Sequence, residues 1–190
     1  MVENLLIETP RLTLRPLRFD DVDDLLEYQS HPEIVRYIPW PERTRDQVIE
    51  ALNKTINTGR DGLEHEGDFF VLAWEIKDGP YSGKVIGQSN MSLRSTNDQL
   101  SDIGWVTHQD FQRKGYAFEA TYALMDYAFR NFPLHRIVAD IDTRNPESAA
   151  MAEKLGMRRE AEYLDSEFFK GEWCSMWLYA ILKRDFNGTK

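Results

Sequence analysis

Residues 103–117 read Ile-Gly-Trp-Val-Thr-His-Gln-Asp-Phe-Gln-Arg-Lys-Gly-Tyr-Ala, the pattern of a strand that passes through a basic turn into a helix. From Ala117 the spacing is helical: Phe118, Tyr122, Met125 and Phe129 form one stripe, with Ala117, Ala120, Leu124 and Ala128 beside it. We read that stripe as core. Just before the helix lie Gln112, Arg113, Lys114 and Gly115. A turn that opens a helix leaves backbone N–H groups unpaired. Those donors and the positive end of the helix dipole suit a phosphate. Gly115 has no Cβ, so a ligand can approach its backbone closely. Arg113 and Lys114 add positive charge beside it.

The rest of the chain alternates short strands and helices. Residues 11–17 alternate Arg11, Thr13, Arg15 against Leu12, Leu14, Leu17, as a strand with one buried face does. Asp20 and Asp21 are candidate caps for a helix through Val22, Leu25 and Leu26, which His31-Pro32 breaks. Residues 34–40 form a short apolar patch, and residues 44–56 a second helix through Val48, Ala51, Leu52 and Ile56. Residues 59–67 read as a loop and 69–74 as a strand. A turn at 78–80 runs on to about Gly83. Residues 85–93 are a strand in which Gly87 suggests a bulge. A strand over 100–106 leads into the basic turn, and 137–141 is a further strand. Pro146 opens a helix that ends near Leu155-Gly156, and 161–182 reads as a hairpin turning at 170–172. No repeat or linker interrupts this, so residues 1–190 are expected to form one mixed α/β domain.

Composition narrows the function classes. A chain of 190 residues with 42% hydrophobic content can bury a sizeable core. Its 23 basic and 32 acidic residues leave a formal charge of −9, a poor match to nucleic acid or an anionic membrane. The same charge is compatible with a cationic substrate such as an amine, and equally with simple solubility. The lone Cys174 excludes an internal disulfide and suits a reducing compartment. It sits in a strand-like run and reads as an inert thiol. Residues Met1–Leu5 show no signal peptide, and no stretch approaches the ~20 apolar residues of a membrane span, so a cytoplasmic protein is expected.

Several chemistries lack their motifs. There is no G-x-x-x-x-G-K-S/T for a P-loop and no G-x-S-x-G for an α/β-hydrolase. His65-Glu66 does not continue to H-E-x-x-H, because Phe69 stands where the second histidine would be. The four histidines lack metal-ligand spacing, so no metal is expected.

Gln112-Arg113-Lys114-Gly115-Tyr116-Ala117 matches the pattern Q/R-x-x-G-x-G/A. It resembles the acetyl-CoA pyrophosphate loop of the GCN5-related N-acetyltransferases (GNAT), in particular the branch of ribosomal-protein N-terminal acetyltransferases. Thr9-Pro10-Arg11-Leu12 through Leu17 resembles that branch's opening strand, and Asp102-Ile103-Gly104-Trp105 its central strand. Leu134-His135-Arg136-Ile137, Asn145-Pro146-Glu147-Ser148 and Glu153 to Met157 resemble its later half. The resemblance spans about residues 9–185. It implies a twisted, mostly antiparallel sheet with helices on both faces. It also implies transfer of an acetyl group from acetyl-CoA to a primary amine: a protein N-terminus, a lysine or a small amine. A homodimer is compatible with it.

The resemblance also assigns roles. Gln112, Arg113, Lys114, Gly115, Tyr116 and Ala117 would hold the pyrophosphate. The central strand would splay from its neighbour at a bulge, and Trp105, Val106 and Thr107 would hold the pantetheine arm and polarise the thioester. An ammonium of pKa about 10.4 must lose a proton before attack. Asp102, where the branch commonly carries Glu, is the candidate base, or else a structurally paired acid. Glu119 is assigned to the helix dipole. Many members place a tyrosine acid where this chain has Ala152. In its absence Ser148 is the candidate donor to the leaving thiolate, directly or through water, and Asn145 a candidate holder of the cofactor arm. Both residues also suit a helix cap. Trp40 and Tyr163 are candidates for lining an acceptor site. A second interpretation of the same residues is a non-catalytic acyl-CoA-binding or partner-binding module. A third is a protein using the turn for other phosphates.

Overall fold

The computed structural model of the chain describes residues 5–59 and 62–187. The start at Met1–Asn4, read as lacking a signal peptide, and part of the expected loop 59–67 therefore lie outside the described residues. In chain order the elements are β1 (Ile7–Glu8), β2 (Leu12–Pro16), α1 (Val22–Gln29), α2 (Pro32–Val35), α3 (Arg45–Thr58), β3 (Phe69–Ile76) and β4 (Val85–Ser95). Then come β5 (Leu100–Thr107), α4 (Tyr116–Asn131), β6 (Arg136–Asp142), α5 (Pro146–Lys154), β7 (Arg158–Phe169) and β8 (Glu172–Leu182). The strands form one sheet in the order β1-β2-β3-β4-β5-β6-β8-β7. Every neighbouring pair is antiparallel except β5 and β6.

Alternation along the strands sends side chains to two cores. Phe70, Leu72 and Trp74 of β3 pack with Leu124, Met125 and Ala128 of α4 and with Ala149 and Ala152 of α5. Ala73 of β3 and Val106 of β5 join Leu25 and Tyr28 of α1 and Val48 and Leu52 of α3 on the opposite face. The mixed α/β, mostly antiparallel sheet with helices on both faces is the architecture expected. Local chemistry explains the ends. Thr44 and Gln47 form a reciprocal capping box at the start of α3. Asp21 instead turns its carboxylate to Arg15, at 2.7 and 2.9 Å, and so ties β2 to α1 rather than capping it. The apolar patch after Pro32 is partly helical, as α2, and the hairpin tip reaches it: Lys170 Nζ donates to the carbonyl of Val35 at 2.5 Å.

Two irregularities shape the centre of the sheet. Opposite β3 the register passes from Ala73↔Gln88 to Glu75↔Val85, so β4 carries an extra residue beside Gly87, the bulge expected there. A Cβ at Gly87 would lie 2.4 Å from the Trp74 ring and 2.5 Å from the carbonyl of Val106, so only glycine fits. The central strand β5 behaves differently from expectation. It pairs with β4 without a bulge from Ser101↔Leu93 to Thr107↔Gly87. Against β6 it makes only three pairs, ending at Asp102↔Val138. The strands part because a short parallel ladder stops, not because β5 is bulged. Among the described residues no helix is long and apolar enough to cross a membrane.

Candidate active site

Beyond Asp102 the edge of β5 has no strand beside it, and this edge opens into a cavity of about 740 Å³. One wall is Trp105, Val106 and Thr107 at the end of β5. The floor is the basic turn and the start of α4: Gln112, Arg113, Gly115, Tyr116, Ala117 and Phe118. The facing wall is α5 with Asn145, Glu147, Ser148 and Met151, and α2 with its flanks closes the rest. Of the residues assigned above to catalysis or to holding the cofactor, all but Lys114 and Asp102 line this one cavity.

The turn is built for close approach. Arg113 and Gly115 both adopt left-handed backbone, with φ of 59° and 84°. Gly115 is the residue before α4, so the unpaired N–H groups of the helix's first turn follow directly. Phe111 is buried beneath the turn, edge-on to His108 and Tyr116. Arg11 braces the turn from β2: its Nη1 donates to the carbonyl of Lys114 at 3.0 Å and its guanidinium lies 4.2 Å from the centre of the Tyr116 ring. Lys114 itself points at Phe111, with Nζ 5.3 Å from the ring centre.

Glu119 does more than meet the helix dipole. It accepts from Thr9 Oγ1 at 2.7 Å, from the Arg11 backbone at 2.8 Å and from Arg11 Nε at 2.6 Å. Burial opposes its charge, but the bonds from Thr9 and Arg11 outweigh it and hold the carboxyl below its ordinary pKa. The start of β2 is thereby fixed to α4.

Asp102 stands apart from the cavity. Its carboxylate accepts from Ser92 Oγ at 2.5 Å and from Arg94 Nε at 3.1 Å, and Arg94 also pairs with Asp140. The geometry is that of the structurally paired acid, not of a base aimed at the cavity. Asn145 Oδ1 accepts from the Ser148 backbone N–H at 3.1 Å, so this side chain caps α5. The Ser148 side chain faces the cavity from the first turn of that helix. Ala152 is wholly buried in the core, where a tyrosine would have no room.

Several residues escaped the sequence reading. His31, Glu33, Arg36 and Tyr37 all line the cavity, yet His31-Pro32 signals only a helix stop. His108 is buried with both ring nitrogens engaged: Nδ1 accepts from the Asp110 N–H at 3.1 Å, so Nε2 donates to Glu27 at 2.7 Å. Glu27 lies below its ordinary pKa, chiefly through the hydrogen bond from Lys84, with His108 adding to it against burial. Trp40 and Tyr163, the suggested acceptor aromatics, are not in the cavity wall. Cys174 is buried, its thiol pushed up by burial, and Sγ lies 3.1 Å from Arg144 Nη2. Among the described residues no group of three or more His, Cys, Asp or Glu side chains is placed to hold a metal.

Known proteins resemble this chain in sequence and in fold. The family model of the acetyltransferase (GNAT) domain matches residues 11–158. The uncharacterized N-acetyltransferase YnaD of Bacillus subtilis is 32% identical over 95% of this chain and 99% of its own length. The ribosomal protein uS5-alanine N-acetyltransferase of Escherichia coli is 29% identical over 57% of this chain and 56% of its own. The crystal structure of a GNAT-family acetyltransferase from Bacillus anthracis superposes with a TM-score of 0.81, at 28% identity, over 95% of this chain and 99% of that one. The spermidine N-acetyltransferase of Vibrio cholerae, solved with CoA and spermine, shares the fold at 22% identity and a TM-score of 0.74, over 92% and 96% of the two chains. A family match across most of the chain, relatives that include a ribosomal-protein acetyltransferase, and the same fold together place this chain in the GNAT acetyltransferase family, as an N-acetyltransferase.

Proposed function

We propose that this N-acetyltransferase uses acetyl-CoA and transfers the acetyl group directly to a primary amine while both substrates are bound. The observation that carries this is the early end of the β5–β6 ladder, which leaves a strand edge open beside a helix N-terminus. In this reading Gln112–Ala117 hold the pyrophosphate through the first-turn N–H groups of α4, with Arg113 adding charge. Trp105–Thr107 offer backbone groups to the pantetheine arm, and an N–H of that edge stabilises the charge that develops on the thioester oxygen. The Ser148 hydroxyl assists the departing thiolate. The acceptor is a protein N-terminus, a lysine or a small amine. Relatives named for a ribosomal-protein alanine and for spermidine span both extremes. The buried, unpaired Cys174 fits a reducing, cytoplasmic setting.

A second reading, a non-catalytic acyl-CoA binder, is favoured by two observations: Ala152 is buried and Asp102 is held outside the cavity. Release of CoA thiol from acetyl-CoA over a panel of peptide, lysine and polyamine acceptors separates the two. Turnover with any acceptor supports transfer. Thermal stabilisation by acetyl-CoA with no turnover on the whole panel supports the binder.

A further inference from the structure

We propose that the Asn90 carboxamide receives the acceptor amine and aims it at the thioester, an assignment that rests on the amine-acetylation reading above. Asn90 lies inside β4, directly opposite Gly104 of β5. Its side chain leans over that neighbour. The three heavy atoms nearest to a Cβ built on Gly104 all belong to the Asn90 carboxamide: Oδ1 at 2.5 Å, Cγ at 3.3 Å and Nδ2 at 3.4 Å. A larger residue at 104 would push the amide aside. Asparagine is depleted in strands, and a half-buried amide there calls for partners. The other polar side chains of β4 have theirs. Gln88 accepts from Tyr28 and Gln29 at 2.8 and 3.1 Å, and Ser89 Oγ accepts from Trp74 Nε1 at 3.1 Å. Ser92 donates to Asp102, Arg94 pairs with Asp102 and Asp140, and Ser95 donates to Asp98. The Asn90 side chain makes no hydrogen bond among the described residues, yet neither of its amide atoms is sealed from solvent.

The amide meets the open edge from the side opposite the cofactor. Along β5, Ile103 and Trp105 pack into the core under α4 and α5, whereas Val106 packs with α1 and α3. By alternation Gly104 shares the face of Val106. It is also the first residue of that face beyond the last β5–β6 pair at Asp102. α4 and α5, whose first turns serve the cofactor in this reading, stand on the other face. The cavity passes through to the side of Asn90: Ile34 and Ile38 pack with the core of α1 and α3, and they line the cavity together with Val106. A molecule that approaches the edge of β5 from there is the acceptor, not the cofactor.

The spacing suits direct attack. Two residues of a strand, here Gly104 to Val106, span about 7 Å. A nitrogen about 2.9 Å from a carboxamide oxygen and about 3–3.5 Å from an acyl carbon beside Val106 fills that span. An N–H donated to Oδ1 fixes the nitrogen and leaves its lone pair to point at the acyl carbon. No bond within the fold holds the carboxamide, so it turns its oxygen to the substrate at no cost to the structure.

Asn90→Leu is the test, because it keeps the volume and removes the oxygen, while Asn90→Asp keeps an accepting oxygen. The probes are acetyl-CoA with alanine tripeptide, Nα-acetyl-lysinamide and spermidine. For an amine that the wild type acetylates, we expect Asn90→Leu to lower kcat/KM about tenfold and Asn90→Asp to restore most of it. In Asn90→Leu the melting temperature should not fall and the acetyl-CoA Kd should match wild type, because no bond within the fold is lost. Undiminished kcat/KM in Asn90→Leu, an Asn90→Asp variant as slow as Asn90→Leu, or a loss that appears wholly as weaker acetyl-CoA binding overturns the assignment; Asn90→Val, read the same way, serves if the Leu variant does not fold. A wild-type protein that turns over none of the three amines overturns the transfer reading itself. An Asn90→Leu variant as active as an active wild type overturns only the role of Asn90.

Discussion

Arg11 Nη1 donates to the backbone carbonyl of Lys114 across 3.0 Å, joining the second strand of the sheet to the turn that opens α4. The same guanidinium pairs with Glu119 and covers Tyr116. We expect Arg11→Ala to raise the Kd of acetyl-CoA about tenfold, because the turn loses its brace, and to destabilise the fold by about 1–2 kcal/mol. Calorimetry and urea unfolding measure the two effects. Unchanged affinity would show that the turn holds its shape without β2.

Gly115→Glu should abolish acetyl-CoA binding. The residue sits at φ 84°, where a side chain is strained, and a Cβ there would approach Arg11 Nη2 to 3.3 Å. The new carboxylate would also put negative charge where the pyrophosphate is to lie. Circular dichroism confirms folding, and calorimetry then reports binding. A folded variant with wild-type affinity removes Gln112–Ala117 from the phosphate site.

Asp102→Asn should leave kcat near wild type at neutral pH and lower the melting temperature. Asp102 is occupied by Ser92 and Arg94, and the substitution weakens its ion pair with Arg94. A fall in kcat of about 100-fold at unchanged stability would restore Asp102 as a base.

Ser148→Ala should lower kcat about tenfold to a hundredfold, below the upper end for general acid catalysis, with acetyl-CoA affinity little changed. A thiol leaving group, with a pKa of about 8.5, needs only modest help. A donor with a more acidic thiol should narrow the gap. Equal slowing of both donors would make Ser148 a structural residue of α5.

Acid should expose the Glu119 contacts. Its folded pKa lies below the ordinary 4.5, so its contribution is complete above pH 4.5 and is lost as pH falls through the lower folded value. Glu27, Asp142 and Glu160 shift in the same direction, so the variant must be compared with wild type. The loss of unfolding free energy between pH 6.5 and 3.5 should be smaller in Glu119→Gln. An identical loss would mean that Glu119 contributes nothing to acid sensitivity.

The strands, the helices and the basic turn were legible because they record neighbours along the chain. Alternation marks β2, a helical stripe marks α4, and Gly115 marks the turn. The stripe holds as core: Leu124, Met125, Ala128 and Phe129 are buried, and Phe118 packs against the same core while also lining the cavity. What stayed hidden depends on residues far apart. Glu119 reads as a dipole partner until Arg11, 108 positions away, is seen beside it. Asp102 reads as a base or a paired acid until Ser92, Arg94 and Asp140 are placed around it. His31 reads as a helix stop because only tertiary structure shows that it lines a cavity. The parting of β5 and β6 was expected only from the family resemblance, which put it at a bulge that β5 does not have.

That parting divides the sheet into two leaves hinged on three ladder pairs, with β1 to β5 on one side and β6, β8 and β7 on the other. A substrate lying in the wedge between them would act as the missing rungs. Its binding energy would then be shared with the cohesion of the sheet: at a hundred times its Kd it would add about 2.7 kcal/mol to the unfolding free energy. The amides along the wedge should record this as slowed hydrogen exchange, strongest in residues 104–107 and 139–142. An enzyme built this way would draw part of its mechanical integrity from its own substrate, and would be at its loosest in the moments between turnovers.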